Sequence, residues 1–378
     1  MFAFQKITTS IEPIEKLNED WTFLLKRSGL NNLFVSWEWV NSWHQVMLDK
    51  SETPVIITAR LNKRLVGIAP LVIAPTENLG ELVGFICQSH SYYQGFIAEK
   101  GIEAQVYFAL WDHLFGKVVK NLDAIRFLNV KDDEIFESVL MKQAVRRGLI
   151  VEKGFQNPCK VLTLPNSFEV YLKTGIISSH LKKNPKTSFN KLKNRSVMNS
   201  FNADESNFQY YWDELIRLRT LETQRRFNHS VLFGHLGFAA HLKQIAEIFA
   251  EKKETRLHVL TINKEITAVN LTINYNKVRY GLTVSINTTL LEKYRWINIC
   301  VHSVLLNIKE AIEERIEEFD FLAGEADFKY KLGGIDRAAI KYTIYPQVNN
   351  TGTRNSFTSV FKQIFNKIKK STILLVDR

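Results

Sequence analysis

Between Phe319 and Leu332 the chain places the carboxylates Asp320 and Glu325 near Gly324 and Lys329, with Asp327 and Lys331 in the same stretch. Asp320 alternates with Phe319 and Phe321 in a strand-like segment, so its carboxylate leaves the sheet on the face opposite the two rings. If that face lines a cleft, partial desolvation raises the carboxyl pKa and suits it to take a proton from an amine or hydroxyl nucleophile. Pairing with a lysine is the structural alternative. Glu325 follows Gly324 on a turn, where it acts as a second base or caps the short helix carrying Lys329. Lys329 can hold a sugar or phosphate oxygen, or close the strand–turn–helix against Asp320. A second group of candidates is aromatic. Trp39 and Trp43 are four apart on one helix face and read as core, whereas Trp37 is free to stack on a sugar ring. His302 sits alone in a helix and reads as structural. His229, His235 and His241 match no metal spacing, so no metal site is expected.

The elements that must position these residues come in an order that occurs twice. Ile14–Lys26 and Ser36–Leu48 read as helices, with Ser36 as an N-cap. A β-hairpin follows over residues 54–73, turning at Asn62-Lys63. Strands near 82–86 and 92–98, a helix over 103–120, a strand over 124–130 and a helix over 133–147 complete the first pass, with more strand at 149–152 and 160–164. The second pass has helices over 206–222 and 236–252, a hairpin over 257–275 turning at Asn263-Lys264, a strand over 277–286, a helix over 294–314, and strands at 318–322 and 339–345. Ile56 falls on Leu257, Leu65 on Ile266 and Val72 on Ile273. A shared internal period of this size indicates a duplicated domain. The expected division is 1–165, 166–348 and a basic amphipathic tail, 349–378. The fold class is α/β (α+β), as tandem GNAT-like domains with mixed, mainly antiparallel sheets.

Three stretches carry a closer resemblance: the run from Phe34 to His44 with Trp37, Trp39 and Trp43, the segment Leu65–Leu71, and the Phe319–Leu332 stretch. Together they resemble the CelD/BcsL-type double-GNAT proteins of bacterial polysaccharide operons, relatives of the Fem-type aminoacyltransferases. The resemblance implies acyl transfer, usually acetyl from acetyl-CoA, to an amine or hydroxyl of a sugar or cell-envelope precursor. Carried over by motif, Asp320 and Glu325 are the catalytic candidates, and Trp37, Trp39, Tyr93, Gly324 and Lys329 the substrate-binding ones. Phe328 stands where a tyrosine is usual, and Tyr92 where an aspartate is. The loop expected before the CoA-binding helix, residues 291–300, contains no glycine. Lys293 and Arg295 are therefore expected to supply charge to the pyrophosphate in place of close backbone donors.

Bulk properties bound the partners. A net charge of +11 favours anionic ligands. No acidic residue lies between Val170 and Ala203, a stretch that includes Lys182, Lys183, Lys186, Lys191, Lys193 and Arg195. It suits a nucleotide-linked or lipid-linked sugar, or tRNA as in the Fem-type relatives, with a solvated face as the plain alternative. The tail places Phe357, Val360, Phe361, Ile364, Phe365 and Ile368 on one face of a basic helix, which docks on the protein or lies on an anionic membrane surface. Three distant cysteines, no signal-peptide pattern and no unbroken apolar span fit a cytoplasmic protein, peripheral to the membrane at most. A non-catalytic module that binds sugar or a synthase partner is the alternative from a different class.

Overall fold

The computed structural model describes residues 6–76, 80–173, 197–227, 236–324 and 326–347. Each hairpin seen in the sequence closes through a two-residue type I′ turn, which needs positive φ at both positions. Asn62 and Lys63 have φ of 52° and 67°, and Asn263 and Lys264 have 51° and 69°. The two hairpins are β2 (Thr53–Leu61) with β3 (Arg64–Pro75), and β9 (Thr255–Ile262) with β10 (Glu265–Tyr275). Both also carry a bulge at the same distance from the turn. Val66 is left unpaired between Leu65 and Gly67, and Thr267 between Ile266 and Ala268. A third Asn-Lys turn, Asn276-Lys277, joins β10 to β11 (Val278–Ile286), so Lys277, expected as the first residue of a strand, belongs to the turn.

The chain divides into two compact units. The first holds the described residues up to Gln156 and those from Ala338 onward; the second runs from Asn157 to Arg337. In the first unit β1 (Thr8–Ile11) pairs with β2, and the order continues β3, β4 (Glu81–Phe85), β6 (Leu122–Val130) and β13 (Ile335–Pro346), with the short β5 (Ile97–Ala98) against β3. In the second the order is the end of β7 (Leu149–Thr163, in this unit from Asn157), β12 (Glu318–Ala323), β11, β10, β9 and β8 (Met198–Asn202). Among the described residues, β4 pairs with β6 and β11 with β12 in parallel, whereas β1–β2, β2–β3, β3–β4, β6–β13, β7–β12, β8–β9, β9–β10 and β10–β11 are antiparallel. The strand expected near 339–345 in the second module instead pairs, through Ile340–Ile344, with β6 of the first. Its counterpart in the second unit is the end of β7, where Cys159–Thr163 pair with β12. β6 and β12 are thus each paired with a strand from the other half of the sequence, a connection that local periodicity does not reveal.

Helices cover the sheets. The first unit holds α1 (Asn18–Arg27), α2 (Trp37–Val46), α3 (Glu103–His113) and α4 (Glu134–Arg147), and α3 and α4 share with the strands a core that includes Ile57, Leu71, Phe85, Phe96, Leu110, Trp111, Phe127 and Phe136. Phe85 stacks on Phe127 at 4.2 Å. Helix α3 lies so close to the hairpin that a Cβ on Gly67 would come within 2.2 Å of the Val106 side chain. The second unit holds α5 (Phe168–Lys173), α6 (Phe208–Phe227), α7 (Leu236–Glu251), α8 (Ile299–Glu313) and the one-turn α9 (Asp327–Lys331). Leu162, Val304, Leu305, Ile308, Phe319 and Phe321 share one cluster.

The expected helix over 294–314 begins at Ile299, because the Asn298 side chain caps it by accepting from the Val301 N–H. The expected strand over 92–98 shrinks to Ile97–Ala98, since Tyr93 takes φ 54°. Among the described residues no helix is long and apolar enough to cross a membrane. The tail over 349–378 and the basic run Lys182–Arg195 lie outside the described residues.

Candidate active site in the second unit

Parallel strands β11 and β12 pair only from Val278–Tyr280 against Glu318–Asp320. Beyond Tyr280 and Asp320 that ladder ends, while β11 runs on to Ile286. Just past this point β11 bulges: Gly281 faces Thr272 and Thr283 faces Leu271, leaving Leu282 out of the ladder. A bulge breaks the hydrogen-bond pattern and re-aims the strand.

Asp320, the last residue of β12 paired with β11, is fully buried. Its Oδ1 accepts the N–H of Leu322 at 2.8 Å, folding the chain back on itself. Leu322 takes φ 59° and Gly324 φ 116°, the latter a conformation that side-chain-bearing residues rarely adopt. Lys329 on α9 is buried, and its ammonium donates to the carbonyls of Leu322 at 3.1 Å and Ala323 at 2.6 Å. The lysine thus closes the strand–turn–helix through carbonyl oxygens. Opposite the turn β12 bulges against β7, with Asp320 facing Val161 and Ala323 facing Cys159. Lys160 lies between these partners, fully enclosed, 3.7 Å from Asp336 and over the Tyr330 ring at 5.2 Å. Glu325 lies outside the described residues.

At the far end of β11 a pocket of about 310 Å³ opens at the N-terminus of α8. Ile286, Leu291, Arg295, Ile297, Asn298, Ile299 and Cys300 line it. The first turn of a helix presents unbonded N–H groups and the positive end of the helix dipole, and Arg295 adds a full positive charge. Lys293 is not part of this lining. Its ammonium is 2.5 Å from Glu265, and this contact with that of Tyr294 holds the Glu265 carboxyl below the usual range.

Under α8 lies a polar layer that the sequence reading missed. Arg279 on β11 is fully buried and donates to Asn274 (2.8 Å), the Asn307 carbonyl (3.1 Å), Glu310 (2.8 Å) and Glu314 (2.6 Å). Arg256 also reaches Glu314, and Asn202 reaches Glu310. Asn270 donates to Ser303 at 2.6 Å. Burial, and secondarily Arg279, push His258 down to about 4. A signal existed. Asn270, Thr272 and Asn274 alternate along β10, and Ser303, Asn307, Glu310 and the C-cap residue Glu314 form a stripe along α8. Each stripe alone reads as solvated; the two together read as one buried interface.

The aromatic candidates belong to the first unit. Trp39 is buried and donates to Ser91 at 2.8 Å. Trp37 donates to the Ile14 carbonyl at 2.9 Å. Tyr93 is buried, and its carbonyl accepts from Asn32. On β6, Phe127-Leu128 correspond to Phe321-Leu322 on β12, which places Arg126 where the second unit has Asp320. His302 is buried, with Nδ1 2.9 Å from the Asn298 carbonyl, and burial lowers its pKa. His229 and His235 lie outside the described residues.

Residues 186–330 match the profile of the acetyltransferase (GNAT) domain family. Compared by sequence with curated proteins, the chain has no significant match. Among solved structures it is similar to FemX, with a TM-score of 0.60 and 10% identity over 96% of this chain and 100% of that one. It is also similar to a conserved protein of unknown function from Bacteroides thetaiotaomicron VPI-5482, at 0.54 and 12% over 90% and 100%. A third likeness is L-PGS from Bacillus licheniformis, at 0.50 and 10% over 93% and 95%. At these identities the likenesses establish the fold, which is that of the GNAT acyltransferases.

Proposed function

We propose that the second unit is an acyltransferase that takes an acetyl group from acetyl-CoA and passes it to an amine or hydroxyl of a sugar-containing cell-envelope precursor. The observation that carries this reading is the end of the β11–β12 ladder at Tyr280 and Asp320, beside the Leu282 bulge. The strand that bulges there leads directly to the pocket at the α8 N-terminus. Such a layout holds a thioester at the strand gap and its phosphates at the helix end. Asp320 takes the proton of the acceptor N–H or O–H as its lone pair attacks the thioester carbonyl. The C–S bond then breaks, and the leaving thiolate takes up a proton. Arg295 and the first turn of α8 hold the donor's diphosphate. The sugar-type acceptor rests on the resemblance to the CelD/BcsL-type proteins.

One feature favours a second reading. The loop before α8 contains no glycine, and Asn298 already occupies the Val301 N–H, so fewer backbone donors face the pocket. An aminoacyl ester of tRNA needs no CoA-type diphosphate cradle there, and the resemblance to the Fem-type aminoacyltransferases supports that reading.

The test is thiol release from acetyl-CoA in the presence of candidate amino sugars. Arg295→Ala should raise KM for the donor roughly tenfold or more, the loss of one charge-assisted contact. Asp320→Asn should lower kcat by about 10²–10⁴ with KM little changed. If millimolar acetyl-CoA neither shifts the unfolding midpoint nor releases thiol, while charged tRNA is deacylated, the aminoacyl reading replaces this one.

A further inference from the structure

The two units repeat each other strand for strand, yet the position that parts the strands in the second is filled in the first. There β4 and β6 pair in parallel from Glu81–Val83 against Leu122–Ile125. Past Val83 the chain of β4 turns back through residues 86–89 and inserts Gln88. The side-chain oxygen of Gln88 accepts from two backbone groups, the N–H of Phe85 on β4 at 3.3 Å and the N–H of Leu128 on β6 at 3.1 Å. Its main-chain carbonyl accepts from the Asn129 side chain at 3.1 Å, and its N–H donates to the Phe85 carbonyl at 3.3 Å. Gly84 makes room for this: a Cβ there would lie 2.3 Å from Gln88 Nε2 and 3.3 Å from the Arg126 carbonyl. One carboxamide oxygen thus links the backbones of the two strands where their own ladder has ended.

We propose that Gln88 permanently occupies the strand gap of the first unit, standing in for the amide carbonyl of a ligand, so that only the second unit admits a pantetheine-type donor. Three observations agree. The oxygen satisfies an N–H on each strand, as an inserted ligand amide would. Gly84 is shaped to the plug. Arg126 stands where the second unit carries its carboxylate, so an open first gap would still lack the candidate base. The first unit is then a closed copy of the second.

This inference deepens the proposed function but is tested independently of it, by hydrogen exchange on the full chain. Gln88→Leu removes the acceptor while keeping bulk, and should speed exchange of the Phe85 and Leu128 amides about tenfold, the loss of one hydrogen bond. Gln88→Glu keeps an acceptor oxygen and should retain protection at both. Equal exchange of wild type and Gln88→Leu at both amides overturns the proposal. Millimolar acetyl-CoA should leave these two amides of the wild-type protein unchanged; added protection there shows donor entering the first unit and overturns it too. Donor failure at the second unit is read separately, from the amides of residues 281–286 and 299–302.

Discussion

Replacing Arg279 by methionine should loosen α8 from the sheet of the second unit. The guanidinium is fully enclosed and joins β10, β11 and α8 through Asn274, the Asn307 carbonyl, Glu310 and Glu314. Methionine keeps most of the stem volume, so the loss is chiefly electrostatic and not a cavity. Deleting one partner of a buried ion pair costs roughly 3–5 kcal/mol, mainly because the other charge is stranded. Here the Glu310 and Glu314 side chains keep 25% and 27% of their exposure, and Glu314 retains Arg256 at 2.8 Å. The lower end, about 3 kcal/mol, is therefore expected. Arg279→Lys offers a point charge in place of a planar fork and should recover less than half of it. Urea titration read by peptide-resolved hydrogen exchange separates the second unit from the first. A loss below about 1 kcal/mol over residues 299–313 would refute the view that this ion cluster pins the helix.

The same layer predicts a pH dependence. His258 is held near 4 against its ordinary 6.5, first by burial and then by Arg279. Between these values the unfolded chain binds a proton that the native one refuses, so stability is full above about 6.5 and is lost as pH falls toward 4, by roughly 3 kcal/mol. His258→Asn should flatten that part of the pH–stability curve, and an unchanged slope would assign it to other groups. In the first unit Gly67→Ala drives a methyl against Val106 and should cost about 1–3 kcal/mol in thermal unfolding. The second unit already carries Ala268 at the equivalent place, so Ala268→Gly should cost about 1 kcal/mol or less there, through strand entropy and lost packing.

The hairpins were legible because their turn chemistry is local: Asn-Lys supplies positive φ at two successive positions, and the flanking alternation sets the strands. The order of helices and strands around them was legible for the same reason. The partner of β6 was not, since Ile340–Ile344 looks like any half-buried strand until its neighbour is known. Asp320 and Lys329 were identified as candidates, but the carbonyl contacts of the lysine were not. The lysine binds the carbonyls of Leu322 and Ala323, which the left-handed Leu322 and the positive φ of Gly324 turn toward it. Lys293 and Arg295 look alike in sequence, and only packing separates the one that faces Glu265 from the one that lines the pocket. Gln88 was invisible as a plug, because nothing in its neighbours signals that one side chain reaches two strands.

The exchange of end strands has a consequence for how the chain is made. Synthesis delivers β6 early and its partner β13 only after the whole second unit, more than half the chain length later. Throughout that interval the first sheet has an unpaired edge with Ile125 and Phe127 in it, a template for wrong partners. The second sheet is better served, since Cys159–Thr163 are already present when β12 emerges. The unit proposed to do the chemistry can therefore complete its sheet first, and the closed copy is sealed last. A released chain truncated near residue 334 should show a protected second unit beside a first one that is protease-sensitive at residues 122–130, and the full-length chain should be protected there.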